Sequence, residues 1–204
     1  MSKIEVPQNY KKEFVDLCKR TNVIRPARFT LTRDGKRVPI LYHDRFWKKP
    51  EVITKLSKIT CDLIEINSQI VDQCNAIICI TTLLGTLGPI PIMPFISQKF
   101  NWDNYVIKED TPGEFNIYPN ISRNLDDSQD LAEITFLLFI DGTVRGSSIV
   151  RTKNTIINLG GHVGGLFMFT DVDNHLSSTQ SIIDDVPTLS ILSGEELLIL
   201  TKEG

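Results

Sequence analysis

The sequence predicts an α/β protein with a central, mostly parallel sheet that is flanked by helices, and with a small N-terminal hood. Residues 76–82 and 134–140 are apolar runs typical of strands that are buried on both faces. A third apolar run covers residues 163–170, and a helical pattern separates it from the second. This strand–helix–strand order favours a right-handed crossover and hence parallel strands.

The N-terminal part is predicted to contain two helices and a hairpin. Residues 8–21 form the first helix, because their apolar side chains repeat on one face. Residues 29–32 and 38–42 are short strand-like runs, and the Asp34–Gly35 step between them favours a hairpin turn. Pro50 begins the second helix, where its missing N–H group is not needed.

The remaining elements are shorter. Residues 105–107 are typical of a strand, whereas residues 111–130 are rich in Pro, Gly, Asn and Asp and are predicted to form a loop or mobile arm. A helix over residues 149–159 is stopped by Gly160 and Gly161 through a left-handed cap. The C-terminal part adds an edge strand over residues 187–192 and a helix over residues 194–202.

Length and composition suit one domain, because 204 residues with 41% hydrophobic side chains can bury a core. Its parts are the hood with the first helix (residues 1–48), a core (50–180) and a C-terminal strand and helix (181–204). A formal net charge of -3 argues against general nucleic-acid binding. Residues 1–20 lack an apolar signal region and no apolar run reaches spanning length, so we expect a cytoplasmic protein without a membrane partner.

The cysteines and histidines do not follow a metal-binding pattern. Cys74 and Cys79 have no second pair at zinc-ligand spacing, so buried thiols in a reducing compartment are expected. His43, His162 and His175 have no carboxylate or cysteine at ligand spacing, and we interpret them as surface or hydrogen-bonded residues.

A phosphate site is predicted where the strand over residues 134–140 ends in Asp141. A helix begins shortly afterwards, and its unpaired N–H groups and dipole favour an anion. Gly146 allows the backbone to approach that anion, and Ser147 and Ser148 can donate hydroxyls or cap the helix. Arg145 adds a charged donor, and the acid can hold ribose hydroxyls. The alternative interpretation is an ordinary turn before a capped helix.

This segment resembles the phosphoribosyl-pyrophosphate (PRPP) motif of type I phosphoribosyltransferases, in which two acids and a loop of the Thr-Thr-Gly-Thr-Ser type precede a helix. With Gly146 aligned, Asp141 takes the place of the second acid, and Ile140 stands at the first. Mg²⁺ is implied only together with PRPP, with Asp141 as its candidate ligand. The residues that the resemblance assigns to ribose and phosphate are Asp141, Thr143, Arg145, Gly146, Ser147 and Ser148.

Three further segments resemble the orotate phosphoribosyltransferases, in the same order along the chain. They are the hood segment around residues 28–39, the strand end over residues 105–109 and the terminal residues 187–198. The chain is therefore similar to this family over most of its length. The resemblance places Phe29 and Arg45 on the base side of the site. It places Thr81, Thr82 and Lys108 on the pyrophosphate side.

Several side chains that the family uses for transfer are absent. Ile107 stands at the arginine before Lys108, Thr111 at the catalytic lysine and Thr32 at the hood lysine. Because cations stabilise the departing pyrophosphate, we predict a degenerate, catalytically impaired member that acts by binding a ribose phosphate or nucleotide. The alternatives are an active phosphoribosyltransferase for a pyrimidine or other base, and a purely structural protein.

The family's homodimers lend the catalytic lysine across the subunit interface. Two copies of this chain cannot do so, whereas a heteromer with an intact related chain could. The resemblance therefore implies a second copy or a related chain as the protein partner, and a place in pyrimidine metabolism.

Overall fold

A computed structural model describes residues 4–31, 37–41, 43–81, 88–111, 114–121, 131–143, 147–171 and 186–202. Its strands are β1 (Ile24–Leu31), β2 (Arg37–Leu41), β3 (Ala76–Thr81), β4 (Asp103–Thr111), β5 (Glu114–Ile121), β6 (Thr135–Thr143), β7 (His162–Asp171) and β8 (Thr188–Ser193). Its α-helices are α1 (Gln8–Thr21), α2 (Pro50–Glu65), α3 (Ser68–Gln73), α4 (Met93–Phe100), α5 (Ser147–Asn158) and α6 (Gly194–Lys202). Short 3₁₀ turns cover His43–Lys48, Ile90–Ile92 and Leu131–Glu133.

The strands form a small antiparallel ribbon, β1–β2, and a six-stranded sheet in the order β5-β4-β3-β6-β7-β8. Every neighbouring pair of the large sheet is parallel except β4 and β5. The predicted fold class is confirmed, as are the parallel pairing of β6 with β7 and the position of β8 at an edge. The ribbon corresponds to the expected hood, and its turn lies outside the described residues.

Side chains of β6 alternate between two hydrophobic clusters, one on each face of the sheet. Leu137 and Phe139 belong to a large cluster that α1, α2, α3 and α4 cover. Ile140 belongs to a smaller cluster that includes Ile149 and Ile156 of α5. This arrangement explains why residues 136–140 of β6 are all apolar, since a strand between two helical layers has no solvent-facing side.

The helix ends follow local signals in the sequence. Pro50 stands in the first turn of α2, and α1 covers the predicted residues. Gly160 has φ 90°, which confirms the left-handed stop after α5. The start of α5 at Ser147 is two residues earlier than predicted. α3 and α4 were not predicted. α4 begins with a proline in its first turn, and the Pro-rich segment before it was interpreted only as a break in regular structure.

The prediction of a loop over residues 111–130 is wrong for its first half. Residues 114–121 form β5, which pairs antiparallel with β4, and residues 122–130 lie outside the described part of the chain. Their composition suggested a loop, but Ile117 packs against the smaller cluster while Tyr118 is exposed, which is the alternation of a strand. Pro119 is tolerated because β5 is an edge strand.

All four cysteines are buried and unpaired, as expected for buried thiols. Burial raises the pKa of Cys61 to about 11 and that of Cys74 to about 12. None of the helices in the described residues is long and apolar enough to cross a membrane. The same residues contain no cluster of three or more metal-ligand side chains.

Candidate functional site

The parallel strands end at one edge of the large sheet, and the polar residues of interest lie there. β6 and β7 are in register at this edge, with Gly142 opposite Thr170 and Thr143 opposite Asp171. α5 begins at Ser147, and three residues separate it from the last residue of β6. In open parallel sheets ligands bind beyond the carboxyl ends of the strands, so this edge is the candidate site.

The predicted residues divide into those that the structure describes and those that it does not. Asp141 and Thr143 end β6, while Ser147 and Ser148 open α5. The residues that lie outside the described part of the chain are Arg145, Gly146 and Thr82. The structure therefore describes the two ends of the predicted phosphate site, and phosphate binding there stays a prediction.

Two residues assigned to the pyrophosphate side lie next to each other. Thr81 at the end of β3 is the register partner of Lys108 in β4, and the Lys108 side chain is exposed. Phe29 lies in β1 opposite Pro39. Arg45 lies in the 3₁₀ turn after the hood, where its Nη1 donates to the Asn22 carbonyl at 2.6 Å. The structure thus brings Thr81 to Lys108 and ties Arg45 to the end of α1.

Asp141 is held at both carboxylate oxygens. The Gly142 amide donates to Oδ1 at 2.9 Å, and Oδ2 lies 3.5 Å from Nδ1 of His43. The Asp141 side chain is 29% exposed, whereas the His43 side chain is only 10% exposed. Burial lowers the pKa of His43, although the carboxylates of Asp141 and Asp44 oppose that shift. A neutral imidazole beside a carboxylate is therefore expected near neutral pH.

Gly142 allows the histidine to approach the strand. A Cβ atom on Gly142 would lie 2.5 Å from Oγ1 of Thr170 and 3.1 Å from Cε1 of His43. Any larger residue would push one of these side chains away. Gly142 therefore allows β6 to lie close both to Thr170 of β7 and to the His43 imidazole.

Two buried polar atoms beside Gly142 have no hydrogen-bond partner among the described residues. They are Nε2 of His43 and Oγ1 of Thr170. A buried polar atom without a partner destabilises the fold by about 1–3 kcal/mol, so such atoms are uncommon away from functional sites.

Sequence reasoning did not place His43 in the site. It interpreted this residue as a surface or hydrogen-bonded histidine, and the structure places its largely buried side chain 3.5 Å from the Asp141 carboxylate. No spacing rule could have found this pair, because its members come from distant segments that only the tertiary fold brings together.

Two positions where the resemblance expects charge are apolar and buried. Ile107 of β4 and Ile140 of β6 have exposures of 0% and 4%, and both belong to the smaller hydrophobic cluster. At the positions where the resemblance expects an arginine and the first acid, the side chains are therefore part of the core beneath the site.

Comparison with known proteins shows what the fold is similar to. No family model matches the chain, and no curated protein is similar to it at a significant level. Among solved structures, the orotate phosphoribosyltransferase of Aeropyrum pernix superposes with a TM-score of 0.68 at 13% identity, over 94% of this chain and 99% of that one. The likeness establishes a type I phosphoribosyltransferase fold.

Two further solved structures of this fold carry ligands. The Mycobacterium tuberculosis orotate phosphoribosyltransferase in complex with PRPP has a TM-score of 0.62 and 15% identity, over 92% of this chain and 98% of that one. The Trypanosoma brucei adenine phosphoribosyltransferase in complex with AMP, pyrophosphate and ribose-5-phosphate has a TM-score of 0.60 and 12% identity, over 95% and 83% of the two chains.

Proposed function

We propose that this chain binds a phosphorylated ribose, as PRPP or as part of a nucleotide, at the carboxyl ends of β6 and β7. The observation that carries the proposal is Asp141, a partly exposed acid at the end of a buried parallel strand and a few residues before the start of α5. An acid there can accept hydrogen bonds from ribose hydroxyls, while the helix N-terminus favours the phosphate. Solved structures of the same fold bind PRPP or nucleotides.

We propose further that the chain transfers ribosyl phosphate poorly or not at all. Ile107 is buried at the position where the resemblance expects an arginine, so it gives the pyrophosphate no charge. Removing one positioned donor from a transition-state charge commonly costs about 2.7–4 kcal/mol. Several such losses leave little turnover, even though they are not additive.

An active transferase with an altered base is the second candidate, and Lys108 favours it. This lysine is exposed and lies in β4 beside Thr81, the last residue of β3. A single cation at that edge could still contact a departing pyrophosphate.

Calorimetry with PRPP and Mg²⁺, followed by a turnover assay with orotate, tests these proposals. Saturable binding without turnover supports the impaired protein, whereas turnover overturns it in favour of the second candidate. If the chain binds none of PRPP, a nucleoside monophosphate and phosphate, both candidate functions are contradicted, and the purely structural alternative is supported.

The Gly146→Val variant tests the phosphate end of the site. We expect it to abolish phosphate binding, because a branched side chain blocks approach of the backbone to an anion. The matched control is Asn154→Ala on the exposed face of α5, which should bind as the unaltered chain does. Unchanged phosphate affinity in Gly146→Val would refute this placement.

The protein partner that we propose is a second copy or a related chain with the missing lysine, and we propose a cytoplasmic location. A test is to mix the chain with an intact orotate phosphoribosyltransferase and measure the mass of the complex and its turnover. A joint complex with changed turnover supports the heteromer. If the measured masses are only those of the two separate proteins, the heteromer is contradicted.

A further inference from the structure

We propose that His43 is a positioning residue that fixes the carboxylate of Asp141 for two hydrogen bonds from a ribose diol. The inference rests on the proposed function and extends it from the phosphate to the sugar. The 3₁₀ turn over His43–Lys48 would then help the site to select a ribose phosphate over inorganic phosphate.

The first argument is the geometry of the carboxylate. One oxygen accepts from the Gly142 amide at 2.9 Å, and the other lies 3.5 Å from Nδ1 of His43. Contacts at both oxygens restrict rotation of the carboxylate about its own axis. A carboxylate has about four acceptor positions, so two contacts leave acceptor capacity for a ligand on the exposed 29% of the side chain.

The second argument is that the imidazole itself cannot move freely. Its ring centroid lies 6.0 Å from that of Phe46 and 6.1 Å from that of Phe169, and both phenylalanines are fully buried. Its Cε1 is packed against Gly142, where even one additional methyl group would be 3.1 Å away. The hydrophobic core therefore sets the orientation of the histidine, which in turn sets that of Asp141.

The third argument is the hydrogen-bond inventory of the imidazole. A neutral histidine carries one N–H, and the nitrogen beside the carboxylate is the one that should carry it. Nε2 is then an acceptor, and it is buried without a partner among the described residues. The Thr170 hydroxyl, on the other side of Gly142, is likewise buried without a partner among the described residues.

Two variants of His43 test the role through the ligand that they affect. His43→Leu removes the donor at similar volume, whereas His43→Asn retains an N–H near the position of Nδ1. Calorimetry is run with ribose 5-phosphate and, separately, with inorganic phosphate. We expect His43→Leu to weaken ribose 5-phosphate roughly 10-fold and to leave phosphate within about twofold, and His43→Asn to recover most of the loss.

Three binding outcomes would overturn the inference. Equal weakening of both ligands would reveal a general structural effect, and unchanged or tighter binding of ribose 5-phosphate would show that the histidine does not prepare the carboxylate. If the unaltered chain binds no ribose 5-phosphate, the proposed function fails together with this inference. Binding by the unaltered chain with no difference in His43→Leu would contradict the inference alone.

Nuclear magnetic resonance of the ¹⁵N-histidine-labelled chain keeps the inference testable if His43→Leu does not fold. The His43 signals are assigned by their absence in His43→Asn. We expect the tautomer with the proton on Nδ1, and we expect its population to fall in Asp141→Ala. A resting tautomer with the proton on Nε2 would overturn the inference, because Nδ1 would then have no proton to donate to Asp141.

Discussion

The Lys11–Glu196 and His43–Asp141 pairs each connect the N-terminal segment of this chain to its C-terminal half, and they are built differently. Lys11 of α1 donates to Glu196 of α6 at 2.6 Å, and the second oxygen of Glu196 accepts from the Ser193 amide at 2.7 Å. His43 and Asp141 lie 3.5 Å apart, and Nε2 of the histidine has no partner among the described residues.

The difference separates a structural contact from a candidate functional one. In the Lys11–Glu196 pair both carboxylate oxygens are used within the protein, and Ser193 and Glu196 complete a capping box at the start of α6. In the His43–Asp141 pair, Nε2 of His43 has no partner among the described residues, at the end of a parallel sheet. Natural folds retain such atoms where a ligand or water completes the hydrogen bonds.

The largest stability effect is expected for Gly142→Ala. Its Cβ would lie 2.5 Å from the Thr170 hydroxyl, so we expect the free energy of unfolding to fall by about 1–3 kcal/mol. Gly165→Ala in β7 is the matched control, because its nearest contact is a leucine methyl at 3.1 Å. Urea unfolding of both variants measures the difference. An equal or larger loss in Gly165→Ala would mean that the His43–Asp141 region is loosely packed.

Glu196→Gln is expected to lower the free energy of unfolding by an intermediate amount that depends on pH. Burial alone would raise the pKa of Glu196, but hydrogen bonds from Lys11 and the Ser193 amide outweigh it and lower the pKa. The pair therefore stabilises the fold above the pKa of the unfolded carboxyl, and this contribution is lost as the pH falls through the lower pKa of the folded state.

We expect Glu196→Gln to lose about 1 kcal/mol at neutral pH and to differ less from the unaltered chain in acid. Unfolding midpoints across a pH series measure this, with the exposed Glu195→Gln as control. A stability deficit that is the same at every pH would show that the charge of Glu196 is not involved.

The smallest effect is expected for Thr170→Val, and its sign is informative. The valine has the same shape and removes a buried hydroxyl that has no partner in the described part of the chain, so stability should stay the same or rise by up to about 1 kcal/mol. In Thr21→Val the lost hydroxyl donates to the Leu17 carbonyl at 2.6 Å, and we expect a loss of about 1 kcal/mol. If Thr170→Val is the more destabilising of the two, the hydroxyl is already satisfied in the unliganded protein.

The sequence allowed prediction of those parts of the fold that local patterns determine. α1 follows from helical periodicity, the buried strands β3, β6 and β7 follow from continuous apolar runs, and the stop after α5 follows from Gly160. β5 could not be recognised, because composition suggested a loop and its strand character depends on pairing with β4. Asp141 lies at the end of a parallel strand as expected, but its contact with His43 depends on a tertiary approach that no spacing encodes.

Ile107 and Ile140 belong to one hydrophobic cluster, and this determines what a charge at either position would cost. Introducing arginine or aspartate at one of them would place an unpaired charge among aliphatic and aromatic side chains, and several kcal/mol is a large share of a stability of about 5–15 kcal/mol. The face of the sheet beneath the ligand edge therefore tolerates exchanges between aliphatic side chains of similar volume far more readily than the introduction of a charge.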